Sequence, residues 1–160
     1  MKTGYSLLVA VLLIISCDKD DNDIELQLDK QISFQLFFSQ AWGDTIWTNP
    51  YDRYDHCLKN FKKSNYPDIN SIIISVPMCS YTTNAICYVD LFNLTDSVSI
   101  ENSQLETNTY GMIYIESPNI IDEIPNKTID LALRIKSSEY AGLYDINVGV
   151  GDISYLFLNR

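Results

Sequence analysis

From residue 24 onward, apolar side chains recur at every second position. Ile24, Leu26, Leu28, Ile32, Phe34, Leu36 and Phe38 all fall on even positions, interrupted only at Lys30. A period of two sends alternate side chains to opposite faces of a strand, so this stretch predicts one long strand or two collinear ones with a single apolar face. The clearest alternation sets Ile129, Leu131, Leu133 and Ile135 against Asp130, Ala132, Arg134 and Lys136, a strand with one wet face. Tyr144, Ile146, Val148 and Val150 repeat the pattern, and Gly151-Asp152, with Gly first, predicts a type II′ hairpin into a last strand over 153–158. Runs over 71–76, 85–92 and 111–116 add further strands, and Asn93-Leu94-Thr95-Asp96-Ser97 supplies turn chemistry. One segment departs from the period. Asn49-Pro50 offers an N-cap and a proline in the first turn, Tyr51, Tyr54, Cys57, Leu58 and Phe61 recur at three- to four-residue spacing, and Lys59, Lys62 and Lys63 lie near the far end. Together these predict a short helix.

Roughly eight short strands separated by turn signals argue an all-β, antiparallel β-sandwich. The order "SIIISV", "ICYVDLFNLTDS", "GMIYIES", "IDLALRIKSSEYAG", "ISYLFLN" over residues 71–158 resembles the extracellular jelly-roll sandwiches of the galactose-binding-like, carbohydrate-binding-module type. The resemblance implies a jelly-roll-like β-sandwich and a role in glycan recognition, and it carries over no ligand residue. The expected organisation is a signal segment over 1–16, a tether over 17–23 and the sandwich with its one short helix over 24–160.

The N-terminal reading rests on a different pattern. Lys2 precedes an apolar run over 5–15, the length of a signal-peptide core and too short for a mature span, which needs about 20 apolar residues. The run ends in Ile14-Ile15-Ser16-Cys17, which resembles the lipobox of bacterial lipoproteins. That resemblance implies cleavage before Cys17 and acylation of its thiol and new amine; two or three chains hold durably where one binds marginally, each buried methylene contributing about 0.8 kcal/mol. The following Asp18-Lys19-Asp20-Asp21-Asn22-Asp23 contains no apolar side chain and reads as a solvated tether. An acidic run in this place resembles the export signal of surface-exposed Bacteroidota lipoproteins, which implies a lipid-anchored protein of the outer membrane facing the exterior. The tether also mimics a calcium loop, but Asp23 stands where the sharp turn needs Gly and Asp29 where a bidentate Glu is needed, so no metal site is expected there.

Composition narrows the partners. With 160 residues, 46% of them hydrophobic, the chain can bury a core. Its 11 basic and 21 acidic residues leave a net charge of −10, which phosphate backbones would repel, so nucleic acid is not an expected partner. The membrane is met through the lipid anchor, and a glycan or another envelope protein remains as the partner.

Catalytic and cofactor signatures are missing. The sequence has one histidine, His56, no Gly-rich phosphate loop, no G-x-S-x-G and no H-E-x-x-H, so no cofactor is expected. A carboxylate pair for glycoside hydrolysis leaves no local signature, and a glycan-active enzyme stays as an alternative reading. Cys79 and Cys87 flank a short segment between two predicted strands, so they are either a cross-hairpin disulfide or buried thiols. Trp42, Trp47, Tyr51 and Tyr54 form the one aromatic concentration outside the alternating strands. Sugar rings stack on such faces while neighbouring Asp and Asn take the hydroxyls, which makes these four the candidate ligand-binding residues; the alternative is that the tryptophans anchor their segment to the sheet. Asp44-Thr45-Ile46 and Asp96-Ser97-Val98 resemble O-glycosylation sites of Bacteroidota envelope proteins.

Overall fold

The computed structural model describes residues 31–38, 41–48, 57–82, 84–139, 148–151 and 153–160; for Phe37, Phe38, Ala41 and Trp42 the description is of the backbone. In chain order the strands are β1 (Gln31–Phe38), β2 (Ala41–Trp42), β3 (Leu58–Phe61), β4 (Ser71–Ser80), β5 (Cys87–Asn93), β6 (Val98–Ser99), β7 (Leu105–Thr107), β8 (Ile113–Glu116), β9 (Ile129–Ser137), β10 (Val148–Val150) and β11 (Ile153–Asn159), with one 3-10 turn, η1 (Lys63–Asn65). Two antiparallel sheets pack face to face. In the first, β11 pairs with β1 on one side and β4 on the other, β10 continues along β4 and pairs with β2, and β8 lies on the far edge of β4. In the second, β9 lies between β3 and β5, and β5 carries β6 and β7 along its other edge. The expected all-β sandwich is what the structure shows.

Alternation decides which side chains meet between the sheets. Ile72, Ile74, Val76 and Met78 of β4 and Leu156 and Leu158 of β11 face Val89 and Leu91 of β5 and Ile129, Leu131 and Ile135 of β9, all essentially inaccessible to water. The wet face of β9 is as predicted at Asp130, Arg134 and Lys136, whereas Ala132 is buried beside Phe92 on the neighbouring strand. The turn after β5 also follows its sequence. The Asn93 carboxamide oxygen accepts from the backbone N–H of Thr95 and Asp96, at 3.0 and 3.1 Å, and Lys127 donates to Asp96 at 2.6 Å. That hydrogen bond, more than anything else around it, holds the Asp96 carboxyl below its usual range.

Two expectations fail, each for a reason of strand geometry. The predicted helix is absent over its described part, where β3 forms instead; residues 49–56 lie outside the described residues. Leu58 pairs with Leu131 and Phe61 with Ile129, so three steps along β3 match two along β9. The extra residue is Asn60, in the left-handed region at φ 58, whose N–H donates to Asp130 Oδ1 at 2.8 Å. A bulge of this kind returns residues three apart to the same face, and that spacing is what imitates a helix. Phe61 then reaches the core edge, its ring 6.0 Å from Phe34 of β1 and 5.9 Å from Tyr66, closing that side of the sandwich with aromatic contacts.

The second failure is the hairpin at Gly151-Asp152. β10 and β11 do not pair with each other; both run antiparallel along the same edge of β4, with Val150 opposite Met78 and Tyr155 opposite Ser75. Gly151 N–H donates to the Pro77 carbonyl at 3.0 Å, so Gly151 still bonds β4 one residue past Val150. In a strand the N–H and C=O of one residue leave on the same side, so the donor that Pro77 lacks also faces Gly151, where the ladder is one bond short.

Candidate functional site

The outer face of the β9–β5 sheet carries an ion pair set among aromatic rings. Arg134 on β9 and Asp90 on β5 sit directly opposite each other, and Nε donates to Asp90 Oδ1 at 3.0 Å while an NH2 group donates to both Asp90 Oδ2 and Ser99 Oγ. The guanidinium carbon lies 3.9 Å from the Phe92 ring centroid and 4.9 Å from that of Trp47. The fork geometry and the two rings fix a cation that retains 16% side-chain exposure above a carboxylate that retains 4%.

Trp47 reaches this face on a strap that crosses between the sheets. The chain leaves β2, and Gly43 N–H donates to the Val148 carbonyl at 3.4 Å, which keeps it on the first sheet. Asp44 O then accepts from Ser137 N–H at 2.7 Å, and Thr48 exchanges two 2.9 Å backbone bonds with Ile135, which ties it to β9 in the second sheet. Thr45, Ile46 and Trp47 bow outward between these two anchors, and Asp44 Oδ1 accepts from Thr45 N–H at 2.6 Å. The crossing needs glycine at 43. A Cβ there would stand 2.6 Å from Val148 Cγ2 and 3.1 Å from the backbone carbonyl carbon of Lys136. Gly43→Ala is expected to cost about 1 to 3 kcal/mol in a urea melt, because the β9 backbone cannot give way as a flexible side chain can. The same substitution should raise acrylamide quenching of tryptophan fluorescence as the strap lifts.

Beside the strap lies a groove of about 440 Å³ lined by Thr45, Trp47, Tyr88, Gln104, Lys136, Ser137 and Ser138. Lys136 Nζ is 5.8 Å from the ring centroids of both Trp47 and Tyr88, so the ammonium lies near two half-buried aromatic rings. A second groove of about 400 Å³ runs past Lys63, Tyr66, Ile69 and Ile121. Its ammonium is already used: Lys63 Nζ donates to the Ile121 carbonyl at 2.7 Å. Among the described residues no group of three His, Cys, Asp or Glu is placed to hold a metal ion, and no helix is long and apolar enough to cross a membrane.

Of the sequence-derived candidates, Trp47 is placed on the groove and the backbone of Trp42 in β2, while Cys17, Tyr51 and Tyr54 lie outside the described residues. Tyr88, Gln104 and Lys136 were missed. Tyr88 and Lys136 occupy outward positions of alternating strands and sit directly opposite each other, a neighbourhood that periodicity alone does not reveal. Gln104 comes from the connection between β6 and β7 and belongs to no pattern.

Of the two readings of Cys79 and Cys87, disulfide or buried thiols, the structure carries the second. β4 and β5 belong to different sheets and form no hairpin, and Cys79 and Cys87 are free, buried cysteines that both donate to the Gly149 carbonyl, at 3.7 and 3.8 Å. Burial, reinforced by the neighbouring Cys79, pushes the Cys87 thiol up to about 12. An unfolded thiol ionises from about 9, so the folded state keeps a proton that the unfolded state has lost, and this contribution to stability fades as pH climbs from about 9 toward 12. Cys87 should therefore resist iodoacetamide at pH 8 until denaturant is added, as read by mass spectrometry of the alkylated peptide.

No family model matches the sequence, and no curated protein does. Among solved structures, the chain is similar to a chain from the crystal structure of the T13 IBDV viral particle, with 11% identity and a TM-score of 0.48 over 82% of this chain and 32% of that one. It is also similar to the CBM36-1 domain of a multidomain xylanase from the hindgut metagenome of Trinervitermes trinervoides, with 8% identity and a TM-score of 0.40 over 81% of this chain and 97% of that one.

Proposed function

We propose that this protein is a lipid-anchored envelope lipoprotein, acylated at Cys17 and exposed at the bacterial outer surface, whose sandwich binds carbohydrate without cleaving it. The observation that carries the binding reading is the groove in which Trp47 and Tyr88 stand beside Thr45, Gln104, Lys136, Ser137 and Ser138. Aromatic rings take the C–H faces of a sugar ring, and hydroxyl, amide and ammonium groups take its oxygens. Glycoside hydrolysis calls for two carboxylates flanking the bond, and the described lining of this groove holds none.

Calorimetric titration of the protein with a polysaccharide panel tests the reading. Binding that falls at least tenfold in both Trp47→Ala and Tyr88→Ala, with circular dichroism unchanged, is the expected result. No binding to any member, or binding indifferent to both substitutions, overturns it. The anchor is tested separately by metabolic labelling with an alkyne fatty acid, which should mark the full chain and not its Cys17→Ser variant.

A second reading, docking onto another envelope protein, is favoured by one surface. Tyr110, Met112, Ile113 and Tyr114 lie exposed on and beside β8, at the edge of the first sheet, with Tyr81 near them. Among the described residues no strand pairs with the outer side of β8, and with no charge between Tyr110 and Ile115 this apolar edge lacks the usual protection against pairing. A photo-crosslinker at Tyr114 that captures a single envelope protein in intact cells would support this reading, and a clean negative would count against it.

A further inference from the structure

We propose that the ligand of the Trp47–Tyr88 groove is an acidic sugar, a uronate-type residue whose carboxylate seats on the Lys136 ammonium; this rests on the glycan-binding reading above. Three observations point the same way. The ammonium stands equally far, 5.8 Å, from both ring centroids, so a sugar stacked on either ring brings its exocyclic substituent to the same cation. Among the described residues no carboxylate lines the groove: besides Lys136 and the two rings, those residues are the neutral Thr45, Gln104, Ser137 and Ser138. The neighbouring cation on this face, Arg134, is spent on Asp90 and Ser99 and is stacked on Phe92, so it balances its own charge and leaves that of Lys136 for the ligand.

The charge of the whole chain sharpens the point. At a net −10 the surface as a whole disfavours anions, and an ammonium near two rings, in a groove whose described lining holds no carboxylate, is a local exception. Glu106, opposite Tyr88 on the side away from Lys136, stands about 10 Å off, two strand spacings. Asp44, whose carbonyl accepts from Ser137 N–H, and Glu139, whose N–H donates to Ser137 Oγ, flank the lining beside Lys136.

The test uses the full chain in detergent with hyaluronan, alginate and galacturonan oligosaccharides, each compared with its own carboxyl-reduced counterpart by titration calorimetry. At least one acidic oligosaccharide should bind tenfold or more tighter than its reduced form. Lys136→Gln should bring that ratio close to one, and Lys136→Arg should restore it. Reduced forms that bind as well as the acidic ones, a ratio that survives Lys136→Gln, or the failure of every acidic oligosaccharide to bind would each overturn the inference. Neutral glycans that bind through Trp47 while acidic ones do not would sink this inference alone; no glycan binding of any kind would sink the binding reading with it.

Discussion

Asp90→Ala should lower stability by about 3 to 5 kcal/mol, one of the two largest losses expected from a single substitution here, because it leaves the Arg134 guanidinium largely buried without its carboxylate. The pair is nearly desolvated, at 16% and 4% side-chain exposure, and among the described residues Asp90 is the one carboxylate that Arg134 bonds. The loss should appear as a drop in urea midpoint at unchanged slope. Asp90→Leu combined with Arg134→Met should recover most of it, since a well-packed apolar pair avoids the desolvation cost altogether. The consequence reaches the groove as well. The guanidinium lies 4.9 Å from the Trp47 ring, so freeing it from Asp90 removes a fixed neighbour of that ring, and tryptophan fluorescence should shift in Asp90→Ala.

Phe61→Ala should cost a similar amount, about 3 to 5 kcal/mol, for a different reason. Phe61 is 3% exposed and its ring touches Phe34 and Tyr66, so the deletion empties a site that joins β1 of one sheet to β3 of the other. Phe61→Leu should cost clearly less. A companion substitution separates a bulged strand from a helix. Asn60 holds φ 58, so Asn60→Gly should be close to neutral and Asn60→Val clearly destabilising, by about 1 to 2 kcal/mol. In an exposed helix the order would reverse, since glycine there is the costlier residue.

Much of the framework was legible in the residues. The strand over 129–136, its partner over 85–92 and the last strand over 153–158 were all readable as strands, because a strand assigns its faces locally, by alternation. The Asn93 turn was readable because its side chain bonds its own backbone two and three residues on. The failures lie where one residue changes parity. Asn60 turned a strand spacing into a helical one, and Gly151, expected in a hairpin turn, instead bonds Pro77 of the strand that both β10 and β11 pair with. Neither leaves a local trace, because each depends on what the opposite strand offers: Asp130 to Asn60, and Pro77, short of one donor, to Gly151.

The candidate site divides along the same line. Trp47 stood out in the sequence because it interrupts the alternating pattern, but its neighbours did not. Tyr88 is distant from it along the chain, and Lys136 more distant still, and they meet only because β5 and β9 pair and the strap hydrogen-bonds to β9. The sequence by itself determined that the chain makes strands, which faces of them are apolar and that a net charge of −10 disfavours nucleic acid, since propensity, period and charge are properties of residues and their near neighbours. Only the tertiary structure decided which strands pair, that Cys79 and Cys87 lie in different sheets, and that the Lys136 ammonium comes within 5.8 Å of both the Trp47 and Tyr88 rings. Those outcomes depend on contacts between residues far apart in the chain, which the packing of the two sheets selects.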